Sequence, residues 1–293
     1  MIIAVASGKG GTGKTTVATS LALSLSDQGQ AVSVFDCDVE APNAHLFLRP
    51  ELKNSQDVNR LIPQVDEAKC TASSGECSRC AEVCQFHAIV VLGGKTLIFP
   101  ELCHGCGSCT LECPERAITE IPEKLGILEA GETPGGINFG RGLMDVGEPM
   151  AVPVIHQLKK WQLPHPAEVS IWDSPPGTSC PVVESIRGAD FLLLVTEPTP
   201  FGLHDLKLAV QLANELEIPT GVVVNRYGVG DNQVDQFCQK AGIPILMRIP
   251  LEREIGAGIA QGKTLVEIRP EYQVLFQEMF SSIKARCAAE DSK

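Results

Sequence analysis

Cys103, Cys106, Cys109 and Cys113, followed at once by Pro114, spell C-x2-C-x2-C-x3-C-P. That spacing wraps thiolates around one iron–sulfur cluster and hands the last cysteine to a neighbouring cluster. A second string precedes it: Cys70, Cys77, Cys80 and Cys84. The two strings end alike, CQFHAIV from Cys84 and CPERAIT from Cys113, which marks an internal duplication. Sharing across the duplication predicts one ligand set of Cys70, Cys77, Cys80 and Cys113 and another of Cys84, Cys103, Cys106 and Cys109. The first string departs from the pattern, with C-x6-C between Cys70 and Cys77 and Gln85 where the proline would stand. Zinc is the rival ligand, but tetrahedral zinc usually takes two separated C-x2-C pairs, and four compact thiolates followed by proline favour a cubane.

Twelve cysteines in a chain with no leader-like segment point to metal ligation before disulfides. The first apolar run is too short for a signal peptide, so a cytoplasmic protein is expected. Eight cysteines belong to the two strings, leaving Cys37, Cys180, Cys238 and Cys287. A net charge of −12 argues against direct nucleic-acid binding, which relies on Lys and Arg to neutralise phosphates. The 44% apolar content over 293 residues is ample for a large core beside the cysteine module.

That larger part begins at the N-terminus. IIAVA (2–6), SGKGGTGKTT and VATSLALSLSDQG read as strand, glycine-rich loop and helix. Gly8, Gly13, Lys14 and Thr15 satisfy G-x4-G-K-[ST] without a mismatch. Gly8, Gly10, Gly11, Thr12, Gly13 and Thr16 are therefore expected to turn backbone N–H groups toward phosphate oxygens at a helix N-terminus. Lys14 should reach the β- and γ-phosphates of ATP, and the Thr15 hydroxyl should sit on Mg²⁺. Downstream, FLLLVTEP (191–198), TGVVVNRY (220–227) and PILMRIP (244–250) alternate with helical stretches. Near-continuous apolar runs separated by helices indicate a parallel sheet covered on both faces.

Lys9 adds a family resemblance. The run K-G-G-T-G-K-T is similar to the deviant Walker A motif of the MinD/ParA and nitrogenase-iron-protein superfamily. The resemblance implies that Lys9 contacts nucleotide bound by a second subunit, in a dimer formed with ATP. It also implies that AVSVFDCDVEAPN (31–43), with Asp36 and Asp38, is switch I, Asp38 orienting the attacking water. VSIWDSPPGT (169–178) resembles Walker B and switch II, with Asp173 on Mg²⁺ and the Gly177 amide sensing the γ-phosphate. Asn225 matches the position used for adenine recognition, where an amide can both donate and accept. Cys180 sits at the offset where the nitrogenase iron protein carries its cluster cysteine, although a partly buried structural thiol is the simpler reading.

The expected architecture is an α/β, doubly wound, mostly parallel P-loop domain (1–60 and 123–293) interrupted by a small α+β ferredoxin-like domain with two 4Fe–4S clusters (61–122). The glycine-rich stretch 124–149 should form a hairpin or two, and 152–163 should return as a helix. The resemblance implies slow, partner-stimulated ATP hydrolysis in a homodimer, or a heterodimer with a close paralogue, and the cysteine module implies coupling to electron transfer or to an unidentified redox or client protein. Two alternatives differ in class. A MinD/ParA-like spatial organiser would use the clusters structurally or as redox sensors. An ATP-dependent cluster carrier of the Mrp type would need a C-terminal C-x-x-C pair, which residues 114–293 lack. The tail is amphipathic over 274–283 with mixed charge, so a helix docked on the sheet is expected instead of a membrane anchor.

Overall fold

A computed structural model describes residues 1–75, 77–163 and 165–290; the tail's last three residues, 291–293, lie outside the described residues. In chain order the strands are β1 (Ile2–Ala6), β2 (Val32–Asp36), β3 (Glu51–Val65), β4 (Ile89–Leu92), β5 (Lys95–Ile98), β6 (Ile118–Glu132), β7 (Asn138–Met144), β8 (Val169–Asp173), β9 (Phe191–Thr196), β10 (Thr220–Tyr227) and β11 (Ile245–Pro250). The helices are α1 (Lys14–Ser26), α2 (His45–Leu48), α3 (Arg79–Glu82), α4 (Ser108–Leu111), α5 (Val152–Lys160), α6 (Cys180–Ile186), α7 (Pro200–Glu215), α8 (Gln233–Ala241), α9 (Arg253–Ala260), α10 (Leu265–Ile268) and α11 (Glu271–Glu290). The chain falls into two compact units: Met1–Gln56, Leu128–Leu143 and Val154–Lys293 form the larger, Asp57–Ile127 and Met144–Pro153 the smaller.

The sheet runs in the order β11-β10-β9-β1-β8-β2-β7-β6-β3, and the larger unit holds β11 to β7 with only Leu128–Glu132 of β6 and Glu51–Gln56 of β3. Every pairing from β11 to β7 is parallel. β6 and β7 are consecutive neighbours joined through residues 133–137, the hairpin expected in the glycine-rich stretch. The parallel strands are buried on both faces, which is why they read as unbroken apolar runs. Val17, Leu21 and Leu25 recur every fourth residue on α1 and pack with Ile3, Val5, Ile171 and Leu193 of the sheet. Tyr272, Phe276, Met279, Phe280 and Ile283 of α11 join the same core. Each such side chain, fully buried, contributes about 1.5–3 kcal/mol. The tail is therefore a core helix. Polar groups pin both α10 and α11 to α1, which is buried nearly all round: Ser20 Oγ accepts the Leu265 amide at 2.9 Å, and Ser24 Oγ donates to the Gln273 carbonyl at 3.0 Å.

The smaller unit repeats one device twice. β4 and β5 pair antiparallel around Gly93–Gly94, whose φ values of 58° and 77° suit a two-residue hairpin turn. Short helices α3 and α4 place Cys80 and Cys109 in corresponding positions, both in one small core with Ile89 and Ile118. After Cys84 and after Cys113 the chain makes the same turn. His87 and Arg116 take left-handed φ angles of 52° and 51°, and their amides reach back to the Cys84 and Cys113 carbonyls at 3.1 Å. The duplication read in the sequence is thus a duplication of backbone conformation.

Candidate functional site

The loop between β1 and α1 is shaped by glycines at the positions where a side chain would collide. A Cβ on Gly8 would lie 2.4 Å from Asp205 Cβ, and one on Gly13 (φ 97°) would lie 2.4 Å from Asn225 Nδ2. Among the described residues no side chain caps α1, so its first-turn N–H groups are left facing the loop. Partners hold the loop from outside. Asn225 Nδ2 donates to the Thr12 carbonyl at 2.7 Å, and Arg226 Nη2 donates to the Gly11 carbonyl at 3.2 Å.

An open cleft of about 420 Å³ lies over this loop. Gly10, Gly11, Gly13, Lys14, Thr15 and Thr16 form its phosphate-sized end, with Asp38 and Asn225 on the walls and Phe47, Leu251 and Ile255 on an apolar side. Gly8, Lys9 and Thr12 lie beneath the loop, against Thr196 and Asp205.

The acidic residues come together as strand ends. Asp36 closes β2 and Asp173 closes β8, in register with each other in neighbouring parallel strands. Asp36 is fully buried and accepts the amides of Asp38 (3.2 Å) and Ala44 (2.9 Å), so it shapes the segment that carries Asp38. Burial, with Asp173 beside it, holds the Asp36 carboxyl well above the usual range. Asp173 is pushed up to about 7 by burial, with the Thr15 hydroxyl and the Lys14 ammonium acting the other way. Both Asp173 oxygens are buried without a hydrogen bond of ordinary geometry. Burial lowers Lys14, against Asp173, Asp38 and Asp36, and raises Asp38, against Lys14. Orphaned carboxylate oxygens beside a threonine hydroxyl form a donor set whose chemistry suits Mg²⁺. The Gly177 amide donates to the Ser7 carbonyl at 3.0 Å, with Gly177 at φ 98°.

Two further residues belong to this neighbourhood and were not anticipated from the sequence. Glu197, just past β9, is buried and accepts Lys9 Nζ at 3.3 Å and Arg226 Nη1 at 2.7 Å. A conspicuous signal existed in Arg226, a cation directly after Asn225, but Glu197 sits 188 residues from Lys9 and nothing local joins them.

In the smaller unit the cysteines assort into two cavities. Cys70, Cys77, Cys80 and Cys113 line one, and Cys84, Cys103, Cys106 and Cys109 line the other. The duplicated turn delivers an amide to a sulfur in each: Ala117 N–H to Cys113 Sγ and Ala88 N–H to Cys84 Sγ, both at 3.2 Å. Cys103 Sγ also accepts the Gly105 amide at 3.4 Å, and Cys106 pairs with Ser108 Oγ at 3.4 Å. Cys70 approaches Thr96 Oγ1 at 3.6 Å. Burial raises the Cys80 and Cys109 thiols, whereas the Ser108 hydroxyl lowers Cys106. Among the described residues no three Cys, His, Asp or Glu side chains are set to grip a single metal ion.

Of the other cysteines, Cys37 is fully buried beyond β2, and its thiol is raised strongly by burial. Cys180 is exposed at the first turn of α6, which corrects the expectation of a partly buried thiol. No helix among the described residues is long and apolar enough to cross a membrane.

Comparison with known proteins agrees with this geometry. Residues 3–266 match the model of the CobQ/CobB/MinD/ParA nucleotide binding domain. An uncharacterized protein of Methanocaldococcus jannaschii is 33% identical over 80% of this chain and 83% of its own length. An iron–sulfur cluster carrier protein of Aquifex aeolicus is 26% identical over 93% of this chain and 64% of its own length. Among solved structures, the septum site-determining protein MinD of Pyrococcus horikoshii, complexed with Mg-ADP, has a TM-score of 0.57 at 21% identity, covering 95% of this chain and 93% of that one. The phosphate loop, the paired strand-end carboxylates and the parallel sheet carrying them are those of an ATPase, and the chain belongs to the CobQ/CobB/MinD/ParA nucleotide-binding family.

Proposed function

We propose that this protein is an ATP-driven dimeric switch whose smaller unit is a ferredoxin-like module holding two 4Fe–4S clusters. The observation that carries the proposal is the sorting of eight cysteines into two four-cysteine cavities, each supplied with a backbone N–H aimed at a sulfur by the same turn. A cubane takes four thiolates spread around its body, and each cavity is lined by four cysteines. Bound there, such clusters supply one-electron redox chemistry. The chain's own part is to present thiolates: Cys80 and Cys109 must lose raised-pKa protons on loading, and N–H groups at Cys84, Cys103 and Cys113 then stabilise the negative sulfurs.

In the ATPase unit, Lys14 and the amides of Gly10 to Thr16 bind the β- and γ-phosphates, and Asn225 faces the adenine from the cleft wall. Thr15 and Asp173 would hold Mg²⁺, which would neutralise charge on the triphosphate. Asp38 orients the attacking water, with Asp36 fixing the segment it stands on. Lys9 of one subunit stabilises the phosphate held by the other, as an arginine finger does elsewhere for about 10³–10⁵ in rate. Release of phosphate relaxes Gly177 and Asp38, which lie in the segments flanking the smaller unit in sequence. In this way nucleotide state reaches an electron-transfer or client partner.

The test is anaerobic purification followed by iron and acid-labile sulfide analysis. About eight iron atoms per chain are expected, falling by about half in Cys80→Ser and again by about half in Cys109→Ser. Zinc in place of iron, or iron unaffected by either substitution, overturns the cluster reading. Redox titration by electron paramagnetic resonance, with and without ATP, then asks whether nucleotide changes the reduction rate or potential.

A second reading, cluster delivery, is favoured by the name of the Aquifex aeolicus relative, an iron–sulfur cluster carrier protein. It predicts transfer of iron and sulfide to an apo-acceptor on ATP addition, whereas the switch reading predicts clusters that stay bound through turnover.

A further inference from the structure

Glu197 links the extra lysine of the phosphate loop to the base side of the cleft. Its two carboxylate oxygens are divided between two cations: Oε2 takes Lys9 Nζ at 3.3 Å, and Oε1 takes Arg226 Nη1 at 2.7 Å. The Glu197 side chain is 7% exposed, while Lys9 is 36% and Arg226 50% exposed. The acid is buried, and Lys9, whose side chain is bonded to it alone among the described residues, is the partner able to leave. Arg226 is held on its other side by the Gly11 carbonyl at 3.2 Å, and its backbone carries a left-handed φ of 55°. The preceding Asn225 holds the Thr12 carbonyl and accepts the Arg226 amide at 2.9 Å. Residues 225 and 226 thus grip the loop that carries Lys9 and, through Glu197, the lysine itself.

We infer that Glu197 parks Lys9 within its own subunit, and that nucleotide-dependent dimerisation requires Lys9 to exchange this carboxylate for phosphate bound across the dimer. The inference rests on the reading that Lys9 acts in trans. Electrostatics make the latch able to open. A buried carboxylate stripped of its only counter-ion is heavily penalised, but Glu197 keeps Arg226 when Lys9 leaves. The departing lysine is half-exposed, so its pair with Glu197 is worth little more than a surface ion pair. A triphosphate with several negative oxygens outbids a single shared carboxylate. The same arrangement keeps Lys9 off phosphate in a lone subunit, where it would otherwise assist wasteful hydrolysis.

The experiment is a double-mutant cycle on the full chain, reading ATP-dependent dimerisation by sedimentation with Mg²⁺ and a non-hydrolysable ATP analogue. Glu197→Gln should lower the protein concentration needed for dimerisation by about 2- to 5-fold, the worth of one partly exposed ion pair. In a Lys9→Gln background dimerisation should stay lost with or without Glu197→Gln, because the lysine that crosses the dimer is gone. An equal gain in both backgrounds, or no gain in either, overturns the latch. A purely structural role for Glu197 predicts loss with Lys9 in place. Should Glu197→Gln fold poorly, Glu197→Asp keeps a charge for Arg226 while withdrawing by one methylene from Lys9, and should shift dimerisation the same way to a smaller extent. The underlying reading fails separately: Lys9→Gln that dimerises and hydrolyses like wild type removes the trans-acting lysine. Lys9→Gln that cannot dimerise, beside a Glu197→Gln protein indistinguishable from wild type, removes only the latch.

Discussion

His87 and Arg116 share one backbone conformation, φ 52° and 51°, each three residues beyond a cysteine whose sulfur accepts the amide of the next residue. Neither is glycine, so each carries a left-handed cost of about 1–2 kcal/mol that the turn must offset. The return is an N–H aimed at Cys84 Sγ or Cys113 Sγ, a stronger bond once the sulfur is a thiolate.

Substituting valine at either position should expose that cost, since a β-branched residue is a genuine outlier at positive φ. Urea unfolding of the anaerobic protein should show His87→Val and Arg116→Val each destabilised by about 1–2 kcal/mol, while the glycine variants stay near wild type. Valine variants as stable as the glycine variants would show that the turn is not held in this conformation.

Asp38 stands on a segment fixed independently by Asp36, so its side chain can be removed without collapsing the loop. Asp38→Ala should retain ATP affinity within a few-fold and lose about 10²–10⁴ in hydrolysis rate. Equilibrium binding of a fluorescent nucleotide beside single-turnover hydrolysis separates the two effects. Loss of binding in step with hydrolysis would assign Asp38 to the binding of nucleotide instead.

Asp173 imposes a pH signature on the nucleotide-free protein. Its folded pKa is raised from 3.8 to about 7, so between those values the folded state binds the extra proton. Stability then falls as pH rises from about 4 through about 7, because the unfolded chain is the one that ionises freely. Asp173→Asn should be more stable than wild type at pH 8, by on the order of 1–3 kcal/mol, and no more stable at pH 4.5. Mg²⁺ with ATP should reverse the ranking. Thermal melts at both pH values, with and without Mg-ATP, provide the measurement; a variant destabilised at pH 8 without nucleotide would contradict the assignment.

Thiol reactivity should separate ligand cysteines from core cysteines. Cys106 is exposed and lowered by the Ser108 hydroxyl, whereas Cys238 is buried and raised to about 11. In metal-stripped, folded protein at pH 7.5, iodoacetamide should label Cys106 at least about tenfold faster than Cys238, the thiolate being the nucleophile. Ser108→Ala should slow Cys106 alone. Peptide mapping by mass spectrometry reads both sites, and equal labelling would refute the contrast.

The phosphate loop, the apolar strands and the duplicated cysteine strings were legible in the chain because each is a local pattern. Glycines cluster where the backbone must turn around phosphate, apolar residues run together where a strand is covered on both faces, and thiols recur at spacings a turn can close. The helical tail was legible for a similar reason: its apolar residues fall at helical spacing, and Phe276 and Ile283 among them lie in the core. Partnerships between distant segments were not. That Asp36 would spend its oxygens on the amides of Asp38 and Ala44, that the Gly177 amide would meet the Ser7 carbonyl, and that Cys180 would be exposed depend on how strands and loops are set side by side. Lys9 and Glu197 lie on different strand ends 188 residues apart, brought together because β1 and β9 are paired neighbours. Local sequence therefore determined which chemistry each segment could carry, through spacing and backbone freedom. The tertiary structure decided which charges face one another, because the parallel order of the strands aligns their C-terminal ends and only that alignment sets the distances between them.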